Sequence, residues 1–475
     1  MTHEPTLLLE TLACTAAEAL MWGAEADPSL RFRIVAVLDL DGVPDWSVLT
    51  DRVDRLTRLV PRLRHRIVSR PLPGLRPHWE LDPAFDLDRH LSIRALPAGS
   101  GEPDVLLLAE QERMADFEPG RSPWRATMVT GLPGGRAAFI LALNHVITDG
   151  VGAVRMGSLI LDLDAQGPSA EDLGDLAPIE APRPRRQRDQ LVIAVTQELG
   201  LLAGVPGSAA AVLRGVRDPL SVGQSLVDAG RAAVRFLPLP QAASPLPREW
   251  TPEDRYLTLD VPVAGLKAAG RAAGGKFNDA YLAALVGGFK RYHDLHELPL
   301  PTVTITMPVN TRQPGSTDVG GNEMLLKICS VPADMSDPAA RIAEISIQSR
   351  QEQSAGAHGV SQAITQTLAR LPGPVLRHAL GQLADGIDLP TTNVPGVPVP
   401  VYLAGVPVTR ILPFLNRGRS PLTAALISYN GTAHIALTID PIAIPDPDTL
   451  VTCLNAEFDV VLALAATEER ADVPA

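Results

Sequence analysis

His145 and Asp149 are the ionisable pair around which chemistry can be built. They stand in Asn144-His145-Val146-Ile147-Thr148-Asp149-Gly150, directly after an apolar run, Ala137 to Leu143, that reads as a buried strand. Beyond them Val151, Val154, Leu159 and Ile160 fall at roughly helical spacing, so the order is strand, polar turn, helix. Imidazole is the side chain whose ordinary pKa lies near neutrality, and a histidine held at a strand end can act as a general base. Two other readings of these residues stay open here. Gly150-x-Gly152 after a strand resembles the start of a nucleotide loop, although Arg155 stands where the third glycine belongs. In the blandest reading His145 is a core histidine and Asp149-Gly150 a turn dipeptide.

The chain around this turn alternates strands and helices. Ile34 to Leu40 reads as a strand; Asp45 is a helix N-cap, Leu49, Val53, Leu56 and Val60 form one apolar face, and Pro61 stops the helix. Arg52, Arg55 and Arg58 read as a solvated face balanced by Asp51 and Asp54, and His90, away from any strand-end turn, reads as structural. Later, Tyr256 to Val261 forms a strand, Asn278-Asp279 starts a helix running to Tyr292, and Val303 to Met307 is a strand entering Pro308-Val309-Asn310-Thr311-Arg312. Pro178, Pro182 and Pro184 with Arg183, Arg185, Arg186 and Arg188 mark a connector, and prolines between 238 and 247 mark its end. The expected organisation is an N-terminal half, 1–165, a linker and helical connector, 166–250, and a C-terminal half, 251–475.

Composition narrows the function classes. With 475 residues, 45% apolar and 20% charged, the chain can build a large core of two or three units at ~150 residues each. A net charge of -12 argues against a nucleic-acid partner, because phosphate binding is driven by Lys and Arg releasing counterions. Cys14, Cys329 and Cys453 are odd in number and far apart, which fits neither a disulfide framework nor a zinc site and suits a reducing cytoplasm. Glu4 and Glu10 replace the positive residues of a secretory signal, and Glu198, Gly200, Gly204, Pro206 and Gly207 interrupt the apolar stretch from Leu191 to Leu213. No membrane span is expected; the basic connector reads first as a solvated linker, and the alternative is that it and residues 191–236 lie on an anionic membrane or lipid-droplet surface.

Asn144-His145-x-x-x-Asp149-Gly150 resembles the His-His-x-x-x-Asp-Gly motif of the wax ester synthase/diacylglycerol acyltransferase family, relatives of the condensation-domain and chloramphenicol-acetyltransferase fold. The resemblance extends from about residue 15 to 465. Trp79, Phe85-Asp86-Leu87-Asp88-Arg89-His90, Pro123-Trp124, Asn278-Asp279, Pro308-Val309-x-x-Arg312, Gly321-Asn322 and Thr392-Asn393-Val394-Pro395-Gly396 follow in the family's order. Four positions depart from the family pattern: Asn144 replaces the first His, Arg125 an acidic residue, Val397 a Pro and, conservatively, Thr392 a Ser. The resemblance implies an α/β fold of two chloramphenicol-acetyltransferase-like halves, each a mixed sheet with helices, forming a V with a central channel. His145 would sit mid-channel, Asp149 would pair with Arg312 in an architectural role beside Gly150, and Asn144, Thr392 and Asn393 would contact substrate.

The implied reaction needs a base for the alcohol proton, donors for the oxyanion and a means of holding two substrates. A thiol leaving group, with a pKa near ~8.5, needs little acid assistance, so the acyl group can pass directly to the alcohol without a covalent acyl-enzyme. Absence of a Gly-x-Ser-x-Gly elbow agrees with this. The expected activity is fatty acyl transfer from acyl-CoA, a substrate, to a long-chain alcohol or diacylglycerol, with no cofactor and no metal. Alternatives are an ester-forming enzyme of specialised metabolism fed by CoA or an acyl carrier protein, and a non-catalytic acyl-binding relative. A cytoplasmic location, peripheral to a membrane, is expected.

Overall fold

The computed structural model describes residues 11–69, 76–167, 176, 239–310, 324–351, 365–366, 368–369 and 371–471. Strand β1 (Thr11–Ala13) and helix α1 (Ala16–Ala24), started by a Thr15–Glu18 capping box, precede β2 (Arg33–Leu40). Helix α2 (Trp46–Leu59) is capped by Asp45, whose Oδ1 accepts from the Ser47 and Val48 N–H groups at 2.9 and 3.1 Å. It buries Leu49, Val53 and Leu56, and Pro61 opens a 3-10 turn just beyond it, as the spacing predicts. Then come β3 (His65–Val68), β4 (His78–Leu81), β5 (Leu91–Ala95), α3 (Glu102–Met114), β6 (Trp124–Thr130), β7 (Ala137–Asn144), α4 (Gly150–Gly157) and β8 (Leu161–Asp162). The later part holds β9 (Arg255–Pro262), α5 (Val263–Ala272), α6 (Phe277–Leu295), β10 (Thr302–Asn310), β11 (Met324–Pro332), α7 (Pro338–Gln351) and α8 (Gly373–Asp385). It ends with β12 (Leu389–Val394), β13 (Tyr402–Leu403), β14 (Val406–Leu415), β15 (Leu422–Tyr429), β16 (Thr432–Ile439) and α9 (Pro447–Ala471).

Two mixed sheets carry these elements, beside a small antiparallel sheet β1-β4-β3. In the first, of order β5-β6-β7-β2-β14-β13-β8, only β5 and β6 run parallel. In the second, β11-β10-β12-β15-β16-β9, β12 is parallel to both β10 and β15. Residues 402–415 of the later chain therefore complete the first sheet: β14 lies antiparallel to β2 from Val408 opposite Leu40 to Leu415 opposite Ile34.

Alternation along β2 sets the layers. Val35 and Val37 pack with Ala138, Ile140, Ala142, Leu412 and Phe414 beneath Val105, Leu108 and Ala109 of α3. Ile34, Ala36 and Leu38 face the other way, toward α2, α4 and a cavity. Strand β7 is covered on both faces, which is why its sequence is an unbroken apolar run. In the second half α6 is the hub, with Ala280 to Phe289 buried throughout and packed with α5 and α9 in one core.

A buried ionic cluster fastens the two halves. Arg417, just after β14, donates from Nε to Asp254 Oδ1 at 2.7 Å and from Nη2 to the Thr251 carbonyl at 3.0 Å, while its Nη1 lies 2.9 Å from Asp440 Oδ2. Arg113 of α3 pairs with the other oxygen of Asp254. No helix among the described residues is long and apolar enough to cross a membrane. The stretch from Leu191 to Leu213 and the basic cluster 183–188 lie outside the described residues.

Candidate active site

Strand β7 delivers Asn144 to the end of the first sheet, where the Asn144 N–H donates to the Pro123 carbonyl at 2.9 Å. The next N–H, of His145, donates to the Phe32 carbonyl at 2.7 Å, so the main chain under the imidazole is tied to the lead-in of β2. Val146 and Ile147 are fully buried anchors, and the Val146 carbonyl accepts from Arg62 at 3.1 Å. Asp149 ends the turn as N-cap of α4, its Oδ1 accepting from the Gly152 N–H at 2.8 Å. The strand-turn-helix order is thus the one its sequence predicts.

His145 and Asp149 line a cavity of about 420 Å3 enclosed by both halves. Ile34, Leu38, Phe139 and Leu141 of the first sheet, with Val154 and Met156 of α4, form an apolar wall; Thr306, Thr392, Asn393 and Ile427 come from the second sheet. Thr392 and Asn393 therefore meet His145 across one space, although nearly 250 residues of sequence separate them. The Asn393 amide donates to Asn278 Oδ1 at 3.1 Å, which joins the Asn-Asp start of α6 to this strand end. Gly150 packs against the second sheet: a Cβ there would stand 2.7 Å from Val394 Cγ2.

Burial of the His145 ring pushes its pKa below the ordinary histidine value, outweighing a hydrogen bond to its own backbone and the Asp149 charge, which both raise it. The ring is therefore neutral at pH 7. Among the described residues no group of three His, Cys, Asp or Glu side chains could hold a metal.

Asn144 is a correction to its expected substrate contact. It is fully buried and both ends of its amide are engaged: Nδ2 donates to Glu25 Oε2 at 2.8 Å, and Oδ1 accepts from the Val146 N–H at 3.0 Å. Glu25 in turn accepts from Arg33 Nε at 3.0 Å. Neither Glu25 nor Arg33 is marked by any local pattern in the sequence. Arg312, the expected partner of Asp149, lies outside the described residues, as do Gly321 and Asn322. His90 is buried between Phe85 and Trp124, at ring distances of 5.1 and 4.7 Å, with Nδ1 against the Trp124 carbonyl at 2.8 Å, the structural place expected of it.

The architecture is similar to that of solved acyl-transferring and condensing domains. A wax ester synthase/diacylglycerol acyltransferase from Marinobacter aquaeolei VT8 aligns with a TM-score of 0.63 at 17% identity, over 96% of this chain and 100% of that one. The first condensation domain of the CDA synthetase aligns at 0.57, with 17% identity and 96% of both chains covered. The fold is thus the two-half condensation-domain fold, with His145 where the halves face one another. Residues 15–281 match the wax ester synthase/diacylglycerol acyltransferase catalytic domain, and residues 320–461 match the WS/DGAT C-terminal domain. A Mycobacterium tuberculosis H37Rv protein, named as a candidate diacylglycerol O-acyltransferase, is 34% identical over 466 residues, 96% of this chain and 93% of its own length. The chain belongs to the wax ester synthase/diacylglycerol acyltransferase family.

Proposed function

We propose that the protein esterifies a lipid alcohol, a long-chain alcohol or a diacylglycerol, with a fatty acyl group from acyl-CoA, using His145 as general base. The observation that carries this is a neutral imidazole on the wall of an apolar cavity shared by both halves. His145 takes the hydroxyl proton as the oxygen attacks the thioester carbonyl. The tetrahedral oxyanion collapses with breakage of the C–S bond, and the imidazolium returns the proton to the departing thiolate, giving ester and free thiol. A base so placed is worth ~10²- to 10⁴-fold in rate. Thr392 and Asn393, polar groups on the opposite wall, are assigned to the thioester carbonyl. Asp149 holds the turn and the helix start and does not relay protons. Arg312 keeps its place as the proposed partner of Asp149.

Thiol release from a panel of acyl-CoAs, with and without long-chain alcohols or diacylglycerol and with product masses recorded, tests this directly. Release that requires the alcohol, yields the ester and disappears in a folded His145→Ala variant is expected. Absence of release with every such alcohol would overturn the neutral-lipid assignment.

A further inference from the structure

The residue before the base is the clearest departure from the family motif, and the structure shows what has been built around it. Asn144 Oδ1 accepts from the N–H two residues on, at 3.0 Å, so that His145 sits at the apex of an Asx turn. An Asn amide can close such a turn only with its oxygen inward. Its orientation is fixed from outside: Glu25 Oε2 lies 2.8 Å from Nδ2, and a carboxylate can only accept. Glu25, the C-cap residue of α1, is itself held by Arg33, which donates to the other carboxylate oxygen, with Arg31 Nε 3.8 Å away. Arg33 is fixed too, donating from Nη1 to the Arg113 and Ala115 carbonyls at 2.7 and 2.6 Å.

We propose that Glu25 is a positioning residue for the ester-forming site: its carboxylate orients the Asn144 amide, and Asn144 thereby holds His145 in the geometry the transfer requires. The proposal rests on His145 being the base. Glu25 itself does not line the cavity, whereas Arg31 and Arg33 beside it do; it reaches His145 through Asn144. Its effect through Asn144 therefore falls on the chemical step.

Donor and acceptor logic makes this testable by exchange. In Glu25→Gln the single amide oxygen is claimed by Arg33, and the new NH2 faces the Asn144 NH2, so the Asn144 amide must turn over and present NH2 to the Val146 N–H. In Asn144→Asp two carboxylates oppose each other. In the double variant the Gln NH2 donates to the Asp carboxylate, whose second oxygen still accepts from Val146; the hydrogen bond is restored with its polarity reversed and the net charge unchanged.

The experiment compares kcat and the acyl-CoA KM of the parent, both single variants, the double variant and His145→Ala, each checked by thermal melting. Each single variant should lose about 10- to 100-fold in kcat, the scale of a small misplacement of a reacting group, with the acyl-CoA KM unchanged. The double variant should recover most of that loss. Parent-like kcat in Glu25→Gln, or a double variant no more active than the singles, overturns the proposal. If Asn144→Asp does not fold, Glu25→Gln alone decides by the same kcat criterion. Full activity in folded His145→Ala would instead refute the base assignment, so the two failures are read separately.

Discussion

Gly150→Ala places one methyl group at the point where the halves meet, and the geometry sets its size of effect. The added Cβ would stand 2.7 Å from Val394 Cγ2, whereas ordinary van der Waals contact begins near 3.4 Å, so the Val394 side chain must turn or helix α4 and strand β12 must separate by up to about 0.7 Å. That opening falls between the His145 turn and the Thr392-Asn393 strand end, the two groups that must converge on one thioester. Overpacking of this kind costs about 1–3 kcal/mol, and a displacement near 1 Å at a reacting group costs up to about 10²-fold in rate. We therefore expect a melting temperature a few degrees lower and kcat down by roughly 10- to 100-fold. Val394→Ala removes the methyl group that is struck, so Gly150→Ala with Val394→Ala should recover most of the activity. Steady-state alcohol-dependent thiol release, with a melting curve for each variant, measures both effects. Parent-like kcat in Gly150→Ala, or no recovery in the double variant, would refute the argument that contact between α4 and β12 sets the active geometry.

Three further outcomes follow from the same structure. Because burial holds the His145 pKa below its ordinary value of 6.5, the neutral base is lost only as pH falls through that depressed value; kcat/KM should stay level down to about pH 6.5 and decline below it, and a midpoint above 6.5 would contradict the burial argument. Arg417→Leu leaves the Asp254 and Asp440 carboxylates buried without this cation and should lower unfolding free energy by about 3–5 kcal/mol in a denaturant titration. Gly157 lines the cavity with room for a Cβ, which would lie 3.8 Å from Leu161 Cδ1, so Gly157→Ala should shift the preferred acyl-CoA toward slightly shorter chains in a chain-length panel without loss of stability.

Local signals were legible where one segment carries both the pattern and its cause. Strand β7 declares itself because it is buried on both faces, and α2 because its cap, apolar face and terminating proline are contiguous. The strand Tyr256 to Val261 and the helix Asn278 to Tyr292 differ from the observed elements by a few residues at the ends, where frayed turns carry no pattern. The site was legible in part. His145, Thr392 and Asn393 do line one cavity. Asn144 was misplaced because the motif marks it as polar and adjacent to His145, while its amide is bound to Glu25, 119 residues earlier in the chain. Nothing local distinguishes Glu25 from any other glutamate at a helix end. The exchange of β13 and β14 into the first sheet was hidden likewise: a strand's own residues reveal its alternation but not the edge it pairs with.

That exchange bears on how the cavity is reached. Opening the halves like jaws would have to strip β14 from β2, an antiparallel ladder running nearly the full length of both strands. It would also pull Arg113 of α3 away from Asp254, stranding both charges in a buried space. Gly150 and Val394 form a third tie, close to His145 itself. With ladder, ionic cluster and helix–strand contact all spanning the same division, the low-energy route to His145 runs along the space between the sheets and not through their separation. A fixed frame also suits the chemistry. In the proposed direct transfer, thioester and alcohol would meet at one imidazole, and the rate would depend on how closely the wall bearing His145 is held to the wall bearing Thr392 and Asn393.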